Sequence, residues 1–327
     1  MKLKMLKKAV VLGMVAFMAV SLFAGCGGGA TGSDAGNGNG NGNGNDQPSG
    51  DATSPVMYQL AGSDSEVNVV QRLTEVFTET DSNIAFAVTG GGSGTGIASL
   101  VDGQIDVANS SREMRDEEIA AAQANGVDPR PFIFAQDGLA VVINDSLPIE
   151  ELTVDELGAI FRGDITNWAD VGGPDLEISL YGRQSTSGTY VYFMENVVKG
   201  DYSENKKMQS GSAAIVEGVM ADGAGIGYTA IGYAVDSAGN ERDGLRVLRV
   251  APDAGSPAVT PLDLDNIMEG LYPIVRPLFH YVDGKAQGGL KAYLEFVVSA
   301  EGQAIVQEEG FFPIMDSHRQ ANMQVFE

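Results

Sequence analysis

The chain has one cysteine, Cys26, one tryptophan and two histidines in 327 residues. A single thiol cannot close an intramolecular disulfide or build a cysteine metal cluster, so a hydrophobic core must hold the fold. The histidines, His280 and His318, are far apart, and no His/Asp/Glu spacing suggests a metal site. His280 falls in an expected strand, packed or exposed rather than catalytic, and His318 lies in the polar tail after Pro313. Trp168 reads as structural. Basic residues are scarce as well, with 20 Lys and Arg against 44 Asp and Glu, a net charge of −24. Such a body repels nucleic acid and anionic lipid.

Long apolar runs are also missing, apart from Ala9 to Phe23, which is short for a membrane span. Lys2, Lys4, Lys7 and Lys8 precede it and "LFAGC" ends it. This pattern resembles a bacterial lipoprotein signal, residues 1–25, cut before Cys26 so that the sulfur carries lipid. One departure is Phe23, where that signal usually has Leu. The resemblance implies a body outside the cytoplasm, lipid-anchored to the bacterial cell membrane. From Gly27 to Pro55 the chain reads "GGGATGSDAGNGNGNGNGNDQPSGDATSP", with almost nothing apolar to repay ordering. Residues 26–55 are thus expected to form a flexible tether with a root-mean-square span of roughly 30 Å.

Beyond Val56, short apolar strands alternate with amphipathic helices, the pattern of an α/β fold with helices on the sheet faces. "VMYQLAG" predicts a strand, followed by helical spacing at Val67, Val70, Leu73 and Phe77. "NIAFAVTG" predicts a second strand, with a short helix at about Ile97 to Val101. "QIDVANS" is strand-like, and Asp116 is placed to cap "EEIAAAQANG", closed by Gly126. "GLAVVIN" predicts a buried strand, and "TVDE" is a capping box from Thr153 to Glu156. "LEISLYG" predicts a strand, then Tyr190 to Val198 a helix. Ser212 is the expected cap of "AAIVEGVMADG", before a strand "GIGYTAIGY". Pro277 to Val282 completes the strands and Gly289 to Val298 the helices. No repeat of fixed period is present, and the length suits two domains.

Three strand-to-helix turns are rich in glycine and hydroxyls: "GSDSEV" at 62–67, "GGSGTG" at 91–96 and "GRQSTSGTY" at 182–190. Helix starts expose unpaired N–H groups and a partial positive charge, glycine lets backbone approach closely, and hydroxyls add rotatable donors. A tetrahedral oxyanion suits such a turn, and Arg183 adds a fixed planar charge for two of its oxygens. Each turn alone is better read as ordinary capping; three in one chain, one carrying an Arg, point to a site. Rival motifs fail. A Walker loop needs Lys where Ile97 stands, G-x-G-x-x-G fits nowhere in 90–96, and Thr95 occupies the last glycine of a nucleophile elbow.

The arrangement R-x-x-x-S-G-T at Arg183, Ser187, Gly188 and Thr189 resembles the signature of the phosphate-binding proteins of high-affinity phosphate ABC transporters. So do "GGSGTG" followed by "QIDVANSSRE", "IFRGDITNW" at 160–168, "GIGY" at 225–228 and "YPIVRPLF" at 272–279, in the same order. The resemblance implies a type II periplasmic-binding-protein-like fold, with two α/β lobes joined by a two-strand hinge. Lobe I would span 56–139 and 236–327, and lobe II 140–235. It implies a monomer that captures inorganic phosphate and passes it to permease subunits, with no enzymatic step, cofactor or nucleic-acid partner.

Matched residue by residue, phosphate would be held by Ser63, Asp64, Ser65, Ser93, Thr95, Ser111, Arg183, Ser187, Gly188 and Thr189, with Ser110 and Arg112 as secondary candidates. Some family members carry Asp where Ser111 stands, and Ser or Thr where Asp64 stands. Asp64 is therefore expected either to read the proton phosphate carries and sulfate lacks, or only to cap the following helix. Other readings stay open. The guest could be sulfate, molybdate or tungstate, or the chain could sense solute without a transporter. A secreted phosphatase or phosphotransferase would use Ser187 or Ser93, for which no activating base is recognisable nearby.

Overall fold

The computed structural model describes residues 54–327; the expected signal, Cys26 and nearly all of the expected tether lie outside the described residues. Twelve strands are formed among them: β1 Val56–Gly62, β2 Ile84–Thr89, β3 Val107–Ser110, β4 Pro129–Gly138, β5 Ala140–Asn144 and β6 Glu151–Thr153, then β7 Ser179–Arg183, β8 Lys207–Gln209, β9 Gly225–Thr229, β10 Leu245–Val247, β11 Arg249–Ala251 and β12 Val275–Asp283. They assemble into two five-stranded sheets, ordered β2-β1-β3-β12-β4 and β10-β5-β9-β7-β8, and a small β11-β6 pair. In the first sheet β1 runs parallel to β2 and β3, while β12 lies antiparallel between β3 and β4. In the second, β7 is parallel to β8 and β9.

Helices cover these sheets because their apolar residues recur at helical spacing. Helix α1 (Val67–Thr80) buries Val69, Val70, Leu73 and Phe77. Helix α2 (Ser93–Val101) begins four residues earlier than the apolar pattern indicates, because its first turn is Gly, Ser and Thr. Helix α3 (Asp116–Ala124) takes Asp116 as its first helical residue rather than its cap. The capping work is done by Glu118, whose Oε2 accepts from Arg115 N at 2.8 Å. The Thr153–Glu156 capping box forms at the start of α4 (Val154–Arg162), Thr153 Oγ1 accepting from Glu156 N at 3.1 Å. Helix α5 (Gly188–Phe193) starts before Tyr190 and continues as a π turn through Val198. Ser212 is not a cap: Gly211 precedes the helix 212–220, and the Ser212 hydroxyl accepts from Arg183. The stretch "GIGYTAIGY" is extended only to Thr229, and Ile231–Ala234 turns into a short helix.

The chain passes from the first sheet to the second at Leu139, between β4 and β5, and returns just before β12. These crossing segments lie side by side, Leu139 N donating to Ile274 O at 2.9 Å, which forms the two-strand connection. The expected return to the first lobe at residue 236 is early by sheet pairing. Leu245 to Val247 pair with β5, whose edge would otherwise leave backbone groups unsatisfied, and Arg249 to Ala251 then pair with β6.

Trp168 is buried in the core of the second lobe, its indole N–H donating to Ala224 O at 3.1 Å. His280 is buried in the first, stacked on Phe134 with ring centres 4.2 Å apart and with Nδ1 2.8 Å from Asn109 Oδ1. No helix among the described residues is long and apolar enough to cross a membrane.

Burial pushes the His280 imidazole down to about 3. The unfolded chain therefore binds a proton below its ordinary value near 6.5 that the folded chain refuses, and stability falls with pH from about 6.5 towards 3. Relative to His280→Gln, whose side chain does not titrate, the wild type should lose about 2 kcal/mol between pH 7 and pH 5. Urea unfolding at the two pH values measures this; an unchanged difference would refute it.

Candidate binding site

Strand β1 ends at Gly62, whose φ of 142° and close approach to β3 exclude a side chain: a Cβ there would lie 2.2 Å from Asn109 O. This lets the turn after β1 sit over the carboxyl end of β3, Ser63 N donating to Asn109 O at 2.9 Å. The carboxyl ends of parallel strands share one edge of a sheet, so the turns after β1, β2 and β3 meet there. Their hydroxyls form a chain. Ser63 Oγ donates to Ser111 Oγ at 3.0 Å, Ser111 and Ser93 hydroxyls are 3.3 Å apart, and Ser111 N donates to Ser93 Oγ at 3.1 Å.

The second lobe meets this chain with the turn after β7. Ser187 caps α5, its Oγ accepting from Tyr190 N at 3.3 Å. Thr189 and Ser65 hydroxyls are hydrogen-bonded across the lobes at 2.7 Å. Gly188 is pressed against the other turns, where a Cβ would lie 2.2 Å from Ser93 Oγ and 2.7 Å from Ser111 Oγ. Arg183, 1% exposed at the end of β7, donates Nη2 to Asp64 Oδ2 at 2.5 Å and Nη1 to Ser212 Oγ at 3.4 Å. Burial lowers the guanidinium's pKa, and the Asp64 carboxylate opposes that shift. Asp64 Oδ1 also accepts from Gly91 N at 2.8 Å, so this carboxylate joins all three turns. The helix-capping alternative for Asp64 is not realised: both its oxygens are engaged elsewhere, and Glu66 occupies the cap of α1.

Three sequence candidates are not brought into the cluster. Thr95 follows Ser93 by two helical positions, roughly 200° around the axis, so it faces solvent and donates to Gly91 O at 2.9 Å. Ser110 precedes Ser111 in an extended segment, so it points to the opposite side and donates to Arg112 O at 2.7 Å. Arg112 forks onto Glu118 through two bonds of 2.7 Å.

Two buried groups escape the sequence reading. Arg276, 1% exposed, donates Nε and Nη2 to Asp137 Oδ2 at 3.1 and 2.8 Å, Nη1 to Ser111 O at 3.1 Å, and Nη2 to Thr189 Oγ1 at 3.0 Å. The second is Glu66, fully buried beside them. A signal for the first existed: one Arg in the apolar run "YPIVRPLF" and one Asp in "FAQDGLAVV" suggest buried partners. Pairing them required the antiparallel register in which Arg276 faces Asp137. Among the described residues, no group of three or more His, Cys, Asp or Glu is placed to hold a metal ion.

Two α/β lobes whose hydroxyl-rich turns close on buried guanidiniums define a solute-binding protein of the two-lobed class, with donors for an oxyanion. The model of the PBP superfamily domain matches residues 47–301. The phosphate-binding protein PstS of Pseudomonas aeruginosa is 32% identical over 271 residues, 77% of this chain and 81% of that one. PstS of Bacillus subtilis is 28% identical over 315 residues, 95% of each chain. A Clostridium perfringens structure with bound phosphate, ascribed to a phosphate ABC transporter as its substrate-binding protein, aligns with a TM-score of 0.70 and 26% identity, covering 80% of this chain and all of that one. An ABC-type phosphate transport receptor from Vibrio cholerae aligns with a TM-score of 0.62 and 25% identity, over 79% of this chain and 100% of that one. The chain belongs to the PBP superfamily, as a PstS-type phosphate-binding protein.

Arg276→Met would leave Asp137, fully buried, without its counter-ion. The expected cost is about 3–5 kcal/mol of folding stability. A loss under 1 kcal/mol in urea unfolding at pH 7 would show that Asp137 does not depend on this counter-ion.

Proposed function

We propose that this chain is the extracytoplasmic solute-binding protein of a phosphate ABC transporter, closing its lobes on inorganic phosphate and delivering it to the permease. The observation that carries the reading is the meeting of Ser63, Ser65, Ser93 and Ser111 with Ser187, Gly188 and Thr189 beside Arg183. Hydroxyls that bond one another can rotate to donate to a guest instead. Gly188 lets backbone N–H approach where any side chain would block it. Arg183 supplies the permanent charge, oriented by Asp64. Asp64 would in addition accept the proton that phosphate carries and repel sulfate, which has none. Lipid on Cys26 would hold the protein at the membrane while residues 26–55 let it move, and the chain would work as a monomer.

A binding role accords better with the site than a hydrolytic one. Ser93 Oγ is engaged by Ser111, and Ser187 Oγ accepts from a backbone N–H. No histidine stands beside either: His280 is bonded to Asn109, and His318 Nδ1 accepts from Met315 N. The acidity of the chain is no obstacle at short range, because charges beyond about 8 Å are screened at physiological salt.

Titration calorimetry with phosphate, and competition with sulfate, molybdate and tungstate, tests the reading. Arg183→Ala should cost about 2–5 kcal/mol of binding, roughly 30- to several-thousand-fold in Kd. Unchanged affinity would remove the guanidinium from the site. Because both chain and ligand are negative, the association rate should rise with added salt up to about 0.15 M; stopped-flow mixing showing a fall would contradict this electrostatic account.

A further inference from the structure

Glu66 follows Ser65 at the cap of α1 and is fully buried, and neither carboxyl oxygen has a hydrogen-bond partner among the described residues. The charged and titratable groups facing it come from four places. Arg276 stands on β12, Asp137 on β4, the Ser63 hydroxyl on its own turn, and Tyr233 on the helix 231–234. Tyr233 spends its proton on Asp64 O at 2.9 Å. Arg276 is the only cation among these neighbours, and its donors are taken: Nε and Nη2 by Asp137, Nη1 by Ser111 O, and Nη2 also by Thr189. A dry carboxylate with a second carboxylate nearby, and beside it a Ser63 hydroxyl that already donates to Ser111, is costly enough to hold its proton instead.

The charge count around the anion site depends on that proton. Arg183 and Arg276 are matched by Asp64 and Asp137. A neutral Glu66 leaves two cations facing two carboxylates, whereas an ionised one leaves a net negative charge where a phosphate dianion must enter.

We propose that Glu66 is a positioning residue that keeps a proton beside the anion site, so that an incoming anion meets a balanced site and anion binding is linked to uptake of that proton whenever Glu66 has ionised. This rests on the phosphate reading above. Burial raises the carboxyl well above the usual range, Arg276 and the Ser63 hydroxyl offset the shift only in part, and Asp137 adds to it. A raised carboxyl pKa means that binding is undisturbed at low pH and weakens as pH climbs through the pKa of the free chain.

Carboxyl-13C NMR of the full-length chain without ligand reads the proton directly. The Glu66 resonance should remain that of the acid at pH 7; a midpoint between pH 4 and 5 would overturn the proposal. Phosphate titration of wild type and Glu66→Gln from pH 5.5 to 9 reads the linkage, since the titration of phosphate itself cancels in the ratio. The two proteins should agree within about threefold at pH 5.5, and the variant should then gain on the wild type by up to about tenfold per pH unit once Glu66 ionises. A constant ratio over a pH range in which the Glu66 resonance shows ionisation would overturn the linkage, because a merely structural side chain gives no pH dependence. Failure of both proteins to bind phosphate at any pH would overturn the functional reading, and the linkage with it, while the NMR result would stand separately.

Discussion

Two guanidiniums buried where the lobes meet constrain the rest of the molecule. Charges taken out of water must be matched at hydrogen-bonding distance, and each match here fixes a different part of the fold. Arg276 and Asp137 face one another across β12 and β4, so their pairing requires the register of the strands that run into the crossover. The same Arg276 holds the carbonyl of Ser111 from the first lobe and the hydroxyl of Thr189 from the second. Arg183 is matched by Asp64, which also takes the amide of Gly91. Turns far apart in sequence are thereby held within reach of one small guest.

These same pairs make the site easy to upset and easy to tune. Neither arginine has solvent to fall back on, so the acidic neighbours set how much positive field remains for an anion. Three carboxyl groups, Asp64, Asp137 and Glu66, lie close to two guanidiniums. Two are paired and one is orphaned, and the orphan is the one group whose charge can change without breaking a bond. The strong net acidity of the chain acts over distances that salt screens, whereas these few groups act in a site from which water is largely excluded.

Much of this was legible in the residues. Helical spacing, the Thr153–Glu156 box, and the three turns of glycine and hydroxyls follow from local rules, and the structure keeps them. Boundaries moved where local rules compete. Ser93 opens a helix through a turn too polar to show a hydrophobic period, and Ser212 resembles a cap but gives its hydroxyl to Arg183. Thr95 carries the right chemistry on the wrong side of a helix, which spacing from the helix start decides and composition does not. Glu66 escapes because a lone charge in a polar turn says nothing until its neighbours are known, and Arg276 because a lone Arg in an apolar run calls for a partner that only the strand register identifies.

What the sequence determined alone was the alternation of strands and helices, the oxyanion chemistry of the turns, and the family through the order of its motifs. These depend on residues within a few positions of one another, where periodicity and capping act. Tertiary structure alone decided which charge meets which: 137 with 276, 64 with 183, and 66 with no partner. It also paired residues 245–247 with β5 of the second sheet and 249–251 with β6 in the small separate pair, strands about a hundred positions earlier. Such choices depend on strand register and crossover, and no local propensity encodes either.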